Sequence, residues 1–137
     1  MAWTIEYLAD KEMILLVVTG EIVDEDTREM VAETIPLLNE RHCHFVLVDC
    51  STAVTNASLP SVYRMPDYAT ELGAPWNTRL AVVVSKTRVR IETFEFFGLV
   101  CRNAGYDVRL FDDRKSAEEW LLQPRLVQAG APLAASA

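Results

Sequence analysis

Two short stretches constrain the fold of this chain more than anything else in it. Phe45-Val46-Leu47-Val48 and Leu80-Ala81-Val82-Val83-Val84 are apolar at every position, and each runs straight into polar residues, Asp49-Cys50-Ser51 in the first case and Ser85 in the second. A strand with no polar side has no solvent face, which is the habit of strands covered on both sides in a parallel sheet. In open α/β sheets, sites collect at the carboxyl ends of such strands. Function is therefore sought first where these two runs end.

The other elements fall into place around them. Trp3 to Leu8 alternates imperfectly and Met13 to Val18 is a further apolar run, so the pair reads as an opening hairpin turning at Asp10-Lys11-Glu12 and closed by Gly20. Asp24, Glu25 and Asp26 supply an N-cap and favourable charge for a helix running to about Asn39. Its core stripe is Val31, Ile35 and Leu38, widened by Met30 and Leu37, and Pro36 predicts a kink.

After a strand from Phe45 to Cys50, residues 51 to 77 are the least regular part of the chain. Val62, Met65, Ala69 and Leu72 are helically spaced, but Pro66 interrupts them, predicting one kinked helix or two short ones ended by Gly73. A helix from about Val89 to Ala104 follows the Leu80 strand and stops at Gly105, in the position of a left-handed C-cap. Val108 to Phe111 is the last strand, and Asp112 and Asp113 cap a final helix through Leu122 that buries Ala117, Trp120 and Leu121. Residues 123 to 137, with Pro124, Gly130, Pro132 and repeated alanines, read as a flexible tail beyond a domain at 1 to 122.

At 137 residues, half of them hydrophobic, the chain suits one domain with a core large enough to fold alone. Twenty acidic against thirteen basic residues, a net charge of −7, argue against a nucleic-acid partner. No apolar run approaches the roughly 20 residues that span a bilayer, so membrane contact is at most peripheral. Cys43, Cys50 and Cys101 are odd in number and scattered, and no charged-then-apolar leader precedes them, so a cytoplasmic protein with reduced thiols is expected.

The resulting order, β-β-α-β-α-β-α-β-α, is a single α/β domain with a mostly parallel, mixed sheet of about five strands and helices packed on it. Over residues 3 to 122 it resembles the STAS fold, and more closely its bacterial SpoIIAA-like branch, which is similar in topology to lipid-carrying Sec14 domains. The resemblance is carried by Val18-Thr19-Gly20, Phe45-Val46-Leu47-Val48-Asp49, Leu80-Ala81-Val82-Val83, and Val108-Arg109-Leu110-Phe111-Asp112 followed by Ala117-Glu118-Glu119-Trp120-Leu121. It implies a non-enzymatic regulatory module. Phosphorylatable members carry an Asp-Ser-Ser-Gly box after the third strand, where this chain reads Asn56-Ala57-Ser58-Leu59-Pro60-Ser61. Ser58 is therefore expected to cap a helix with Pro60 in its first turn, and a phosphate on it would be welcomed by the helix N-terminus.

Catalytic and metal chemistry find no complete set of residues. Asp49 and Ser51 share a face, but the two histidines, His42 and His44, lie at the far end of that strand, about 20 Å away at roughly 3.3 Å per residue. Asp49 is expected to accept backbone N–H groups in the following turn. His42-Cys43-His44 offers too few ligands for a metal centre, so no catalytic residue, metal or cofactor is assigned.

Binding chemistry is better represented. Ser85-Lys86-Thr87-Arg88-Val89-Arg90 links a strand to a helix start, an anion or head-group site built from Lys86, Thr87, Arg88 and Arg90. On the next helix Phe94, Phe97, Cys101 and Ala104 form a core stripe, leaving Phe96 and Leu99 outside it as an interface for a dimer, a membrane or a pocket wall. Two readings follow. One is a STAS-like module that recognises a protein partner or small apolar ligand at the carboxyl ends of the central strands, using Ser51, Ser58, Tyr63, Met65, Tyr68, Trp76 and Ser85. The other is a carrier or sensor of a lipid-like ligand with reversible membrane association, residues 59 to 77 serving as its lid.

Overall fold

The computed structural model describes residues 2–84 and 90–130. Strands β1 (Ala2–Leu8) and β2 (Met13–Ile22) form the antiparallel hairpin, and α1 (Asp24–Glu40), β3 (Phe45–Thr55), α2 (Leu59–Glu71), β4 (Arg79–Val83), α3 (Ile91–Asn103), β5 (Asp107–Phe111) and α4 (Arg114–Gly130) follow. The sheet is ordered β1-β2-β3-β4-β5, parallel from β2 onward. Because each parallel strand is laid down beside its predecessor in the same direction, the three right-handed crossovers place α1, α2 and α3 on one face. Helix α4 covers the other face, where Ala117, Trp120 and Leu121 pack on Leu47, Ala81 and Val83. Both sides of β3 and β4 are thereby covered, as their unbroken apolar runs require.

Strand β3 does not stop at Cys50. It continues through the β-branched residues Thr52, Val54 and Thr55, because β2 also runs on to Ile22 and offers a partner for each. The register slips where Val17 pairs with Asp49 but Thr19 pairs with Thr52, a β-bulge with the extra residue on β3. Val46, Val48 and Cys50 face α1–α3 before it and Ala53, Thr55 and Ala57 after it, so the bulge converts an even set of inward residues to an odd one.

The boundaries of α1 and α4 differ from the sequence reading, while α2 takes one of the two forms expected of it. The N-cap position of α1 is Val23, with Asp26 Oδ2 reaching back to its N–H at 2.9 Å, so the acids serve the first turn from inside the helix. Helix α2 is one helix with Pro66 inside it, and Gly73 at φ +87° closes it. Helix α4 ends at Gly130, well past Leu122. Gly105 does adopt the left-handed conformation, φ +100°, with its own N–H and that of Tyr106 bonded back to Arg102 and Cys101. Among the described residues no helix is long and apolar enough to cross a membrane.

Candidate functional site

Between the sheet and the three helices lies a cavity of about 170 Å³. Its floor is apolar because β2, β3, β4 and β5 all turn short aliphatic side chains to this face, among them Val18, Val46, Val48, Leu80, Val82 and Val108. Met30, Thr34 and Leu38 of α1, Val62, Met65 and Ala69 of α2, and Phe94, Phe97 and Cys101 of α3 form the roof. Valines and alanines facing valines across a three-helix roof leave space that larger side chains would fill.

Hydrogen bonds at the rim hold the roof together. Asp24, in the first turn of α1, accepts the backbone N–H of Ser58 at 2.7 Å and the Ser58 hydroxyl at 2.9 Å, and those bonds hold its carboxyl below the ordinary carboxylate range. Ser58 also accepts the N–H of Ser61, the N-cap bond expected of it, with Pro60 in the first turn. The Thr27 and Ser61 hydroxyls meet at 3.2 Å, and Asn39 Nδ2 donates to the Gly73 carbonyl at 3.0 Å. On the other flank of α2, the hydroxyls of Thr70 and Tyr106 are 2.6 Å apart. A phosphate on Ser58 would thus meet the Asp24 carboxylate at once, which offsets the welcome expected from the helix N-terminus alone.

Among the described residues four threonines are buried: Thr27, Thr34, Thr55 and Thr78. Three have partners, Thr27 donating to the Asp24 carbonyl, Thr78 to the Pro75 carbonyl and Thr55 accepting from the Ala57 N–H. The hydroxyl of Thr34, a residue only 6% exposed, has no hydrogen-bond partner among the described residues. Cys50 and Cys101 also line the cavity, and burial pushes both thiols up to about 12.

The expected site residues divide sharply. Met65 lines the cavity. Tyr63 and Trp76 do not, being 60% and 83% exposed, because the inward face of α2 is Val62, Met65, Pro66 and Ala69 and Tyr63 lies off that stripe. The ring of Tyr68 sits under the Arg28 guanidinium, 5.6 Å from its centroid. Ser51 is within β3 rather than at its end, and its hydroxyl and N–H both donate to Asp49, whose other oxygen takes two bonds from Arg114 of α4. Ser51 therefore belongs to the α4 side of the sheet, and Ser58 to the helix α2 side. Burial acts to raise the pKa of Asp49, but the bonds from Ser51 and Arg114 outweigh it and hold the carboxyl below its usual range.

Ser85, Lys86, Thr87 and Arg88 lie outside the described residues. Arg90 occupies the N-cap position of α3 in a left-handed conformation, φ +71°, and is exposed. Phe96 is half-buried and Leu99 is 48% exposed, while Ala104, expected on the core stripe, is exposed at the helix end. Among the described residues no three metal-binding side chains come together. Thr27 and Thr34 were not singled out by sequence, although the signal is there: both fall at helical spacing with Met30, Val31 and Leu38, polar residues on an apolar stripe.

No family model matches the chain, and comparison with curated proteins finds no relative. Solved structures do resemble it. A DUF3478-family protein with a SpoIIAA-like fold from Shewanella loihica PV-4 superposes with a TM-score of 0.54 at 21% identity, covering 88% of this chain and 92% of that one. The anti-sigma factor antagonist SpoIIAA, in its unphosphorylated form, gives a TM-score of 0.51 at 12% identity over 90% of this chain and 98% of that one. The fold of this chain is thus SpoIIAA-like, as its element order and sheet topology also require.

Proposed function

We propose that the chain is a non-enzymatic, STAS-like regulatory module whose state is set by a small apolar ligand held between the sheet and α1–α3. The observation that carries this reading is the cavity of about 170 Å³ and its nearly all-apolar lining. Protein interiors rarely keep voids much larger than a water molecule. At about 24 cal/mol per Å³, a fully closed void of this size would forgo about 4 kcal/mol of packing, which is the upper bound for a pocket that is partly open to solvent. Water is a poor occupant, since it needs two to four polar partners. An apolar guest recovers the lost contacts, and 4 kcal/mol corresponds to a dissociation constant of about 1 mM.

Size narrows the guest. An engineered apolar cavity of about 150 Å³ in another protein stays dry and takes benzene or xenon. A ring or short chain of that bulk suits the space here, whereas a two-chain lipid does not. Occupancy reaches the surface through α2, which presents Met65 and Ala69 to the guest and Leu59 and Tyr63 to solvent, where a partner protein would read it. The hydroxyls of Ser51 and Ser58 each donate to an aspartate, and a carboxylate held below its usual range is a poor general base, which supports a binding role over a catalytic one.

The test is a titration of the purified chain with toluene, followed by methyl and amide NMR. Resonances of Val48, Met65, Val82 and Phe97 should shift together and saturate near millimolar guest, and Ala69→Leu, which grows into the space, should abolish the response while raising thermal stability. Shifts scattered over the surface, or none up to the solubility limit, would sink the reading.

A further inference from the structure

We infer that Thr34 sets the chemical class of the guest: an apolar body of about benzene size carrying one hydrogen-bonding group, as in a phenol or a short alcohol. The inference rests on the cavity reading above and adds to it a buried polar side chain of the roof that has no partner among the described residues. Of the four buried threonines among the described residues, three have hydrogen bonds there and Thr34 has none. A buried hydroxyl without a partner is destabilising by about 1–3 kcal/mol, a cost that a hydrogen bond from a guest would remove.

Position favours the cavity as the source of that partner. Thr34 lies in the roof between Met30 and Leu38, in the same lining as Val48 and Met65. As placed, the Thr34 hydroxyl is closed off from the cavity, and a helical threonine divides between two χ1 rotamers, so a guest has to select a rotamer that turns the hydroxyl towards it. With a pure hydrocarbon in place the hydroxyl stays orphaned. A guest bearing a hydroxyl or carbonyl satisfies it, and one neutral hydrogen bond of this kind is worth about tenfold in affinity.

Phenol and toluene are close to isosteric and make the comparison direct. The ratio of their dissociation constants is measured by NMR titration for the wild type, Thr34→Val and Thr34→Ser. Thr34→Val should shift the ratio about tenfold towards toluene, leaving toluene binding unchanged or slightly tighter, and Thr34→Ser should restore most of the preference for phenol. If Thr34→Val leaves the ratio unchanged while toluene still binds, the role of Thr34 is overturned and the cavity reading stands. If neither guest shifts the cavity resonances of the wild type, both fall together. Valine matches threonine in shape and removes an unpaired hydroxyl, so the variant should be at least as stable as the parent, which thermal unfolding checks.

Discussion

At the scale of single residues, the buried polar groups decide most of what can be tested. Asp49 is 13% exposed and takes bonds from Ser51 and Arg114, which ties the bulge of β3 to the first turn of α4. Its folded pKa is lowered, so its contribution to stability is present above the unfolded value of about 3.9 and is lost as pH falls through the folded one. Urea midpoints measured from pH 7 down to pH 3 should therefore drop more steeply for the wild type than for Asp49→Asn. At pH 7 the variant should be less stable by about 1–3 kcal/mol, since Arg114 loses its charged partner. Equal slopes for the two proteins would show that the pair contributes nothing. Cys50 and Cys101, pushed up to about 12, should resist maleimide at pH 8 in the folded protein and react promptly in denaturant, as mass spectrometry would record.

At the scale of elements, α2 is the piece whose attachment can be dissected. Its N-terminus is held by Ser58, which caps the helix and binds Asp24 at the same time. Ser58→Ala should cost about 1 kcal/mol for the cap alone. Because Asp24 and Ser58 act on each other, Asp24→Ala combined with Ser58→Ala should destabilise by less than the sum of the singles, measured by chemical denaturation. Strict additivity would mean that the contact contributes nothing. Much of this was legible in the sequence: Ser58 before Pro60, Gly73 and Gly105 after their helices, and the two unbroken strands all announce themselves through local chemistry. The continuation of β3 past Ser51 was not, because it depends on β2 running on to Ile22, a pairing between residues more than thirty apart in the chain. Nor was the exposure of Tyr63 and Trp76, since aromatic character alone does not say which side of α2 meets the sheet.

At the scale of the whole molecule, the α/β order, the hairpin start and the parallel sheet follow from periodicity and turn residues, and they were readable. The cavity was not readable in the same way. It arises from the sum of many side chains that are each ordinary in the core, and only the three-dimensional arrangement shows that α1, α2 and α3 stand off the sheet by more than their side chains fill. The sequence clue that did exist, threonines at positions 27 and 34 on an apolar stripe, marks its roof.

An unfilled interior also makes a protein sensitive to hydrostatic pressure, because unfolding lets water into volume that folding had kept empty. The volume released on unfolding scales with such space, and globular proteins release on the order of 20–100 mL/mol. The chain should therefore unfold at modest pressure for its size, and a bound guest should raise that midpoint by occupying the very volume that compression seeks to eliminate. High-pressure fluorescence of the tryptophans would then weigh occupancy against emptiness without any knowledge of what the natural guest is.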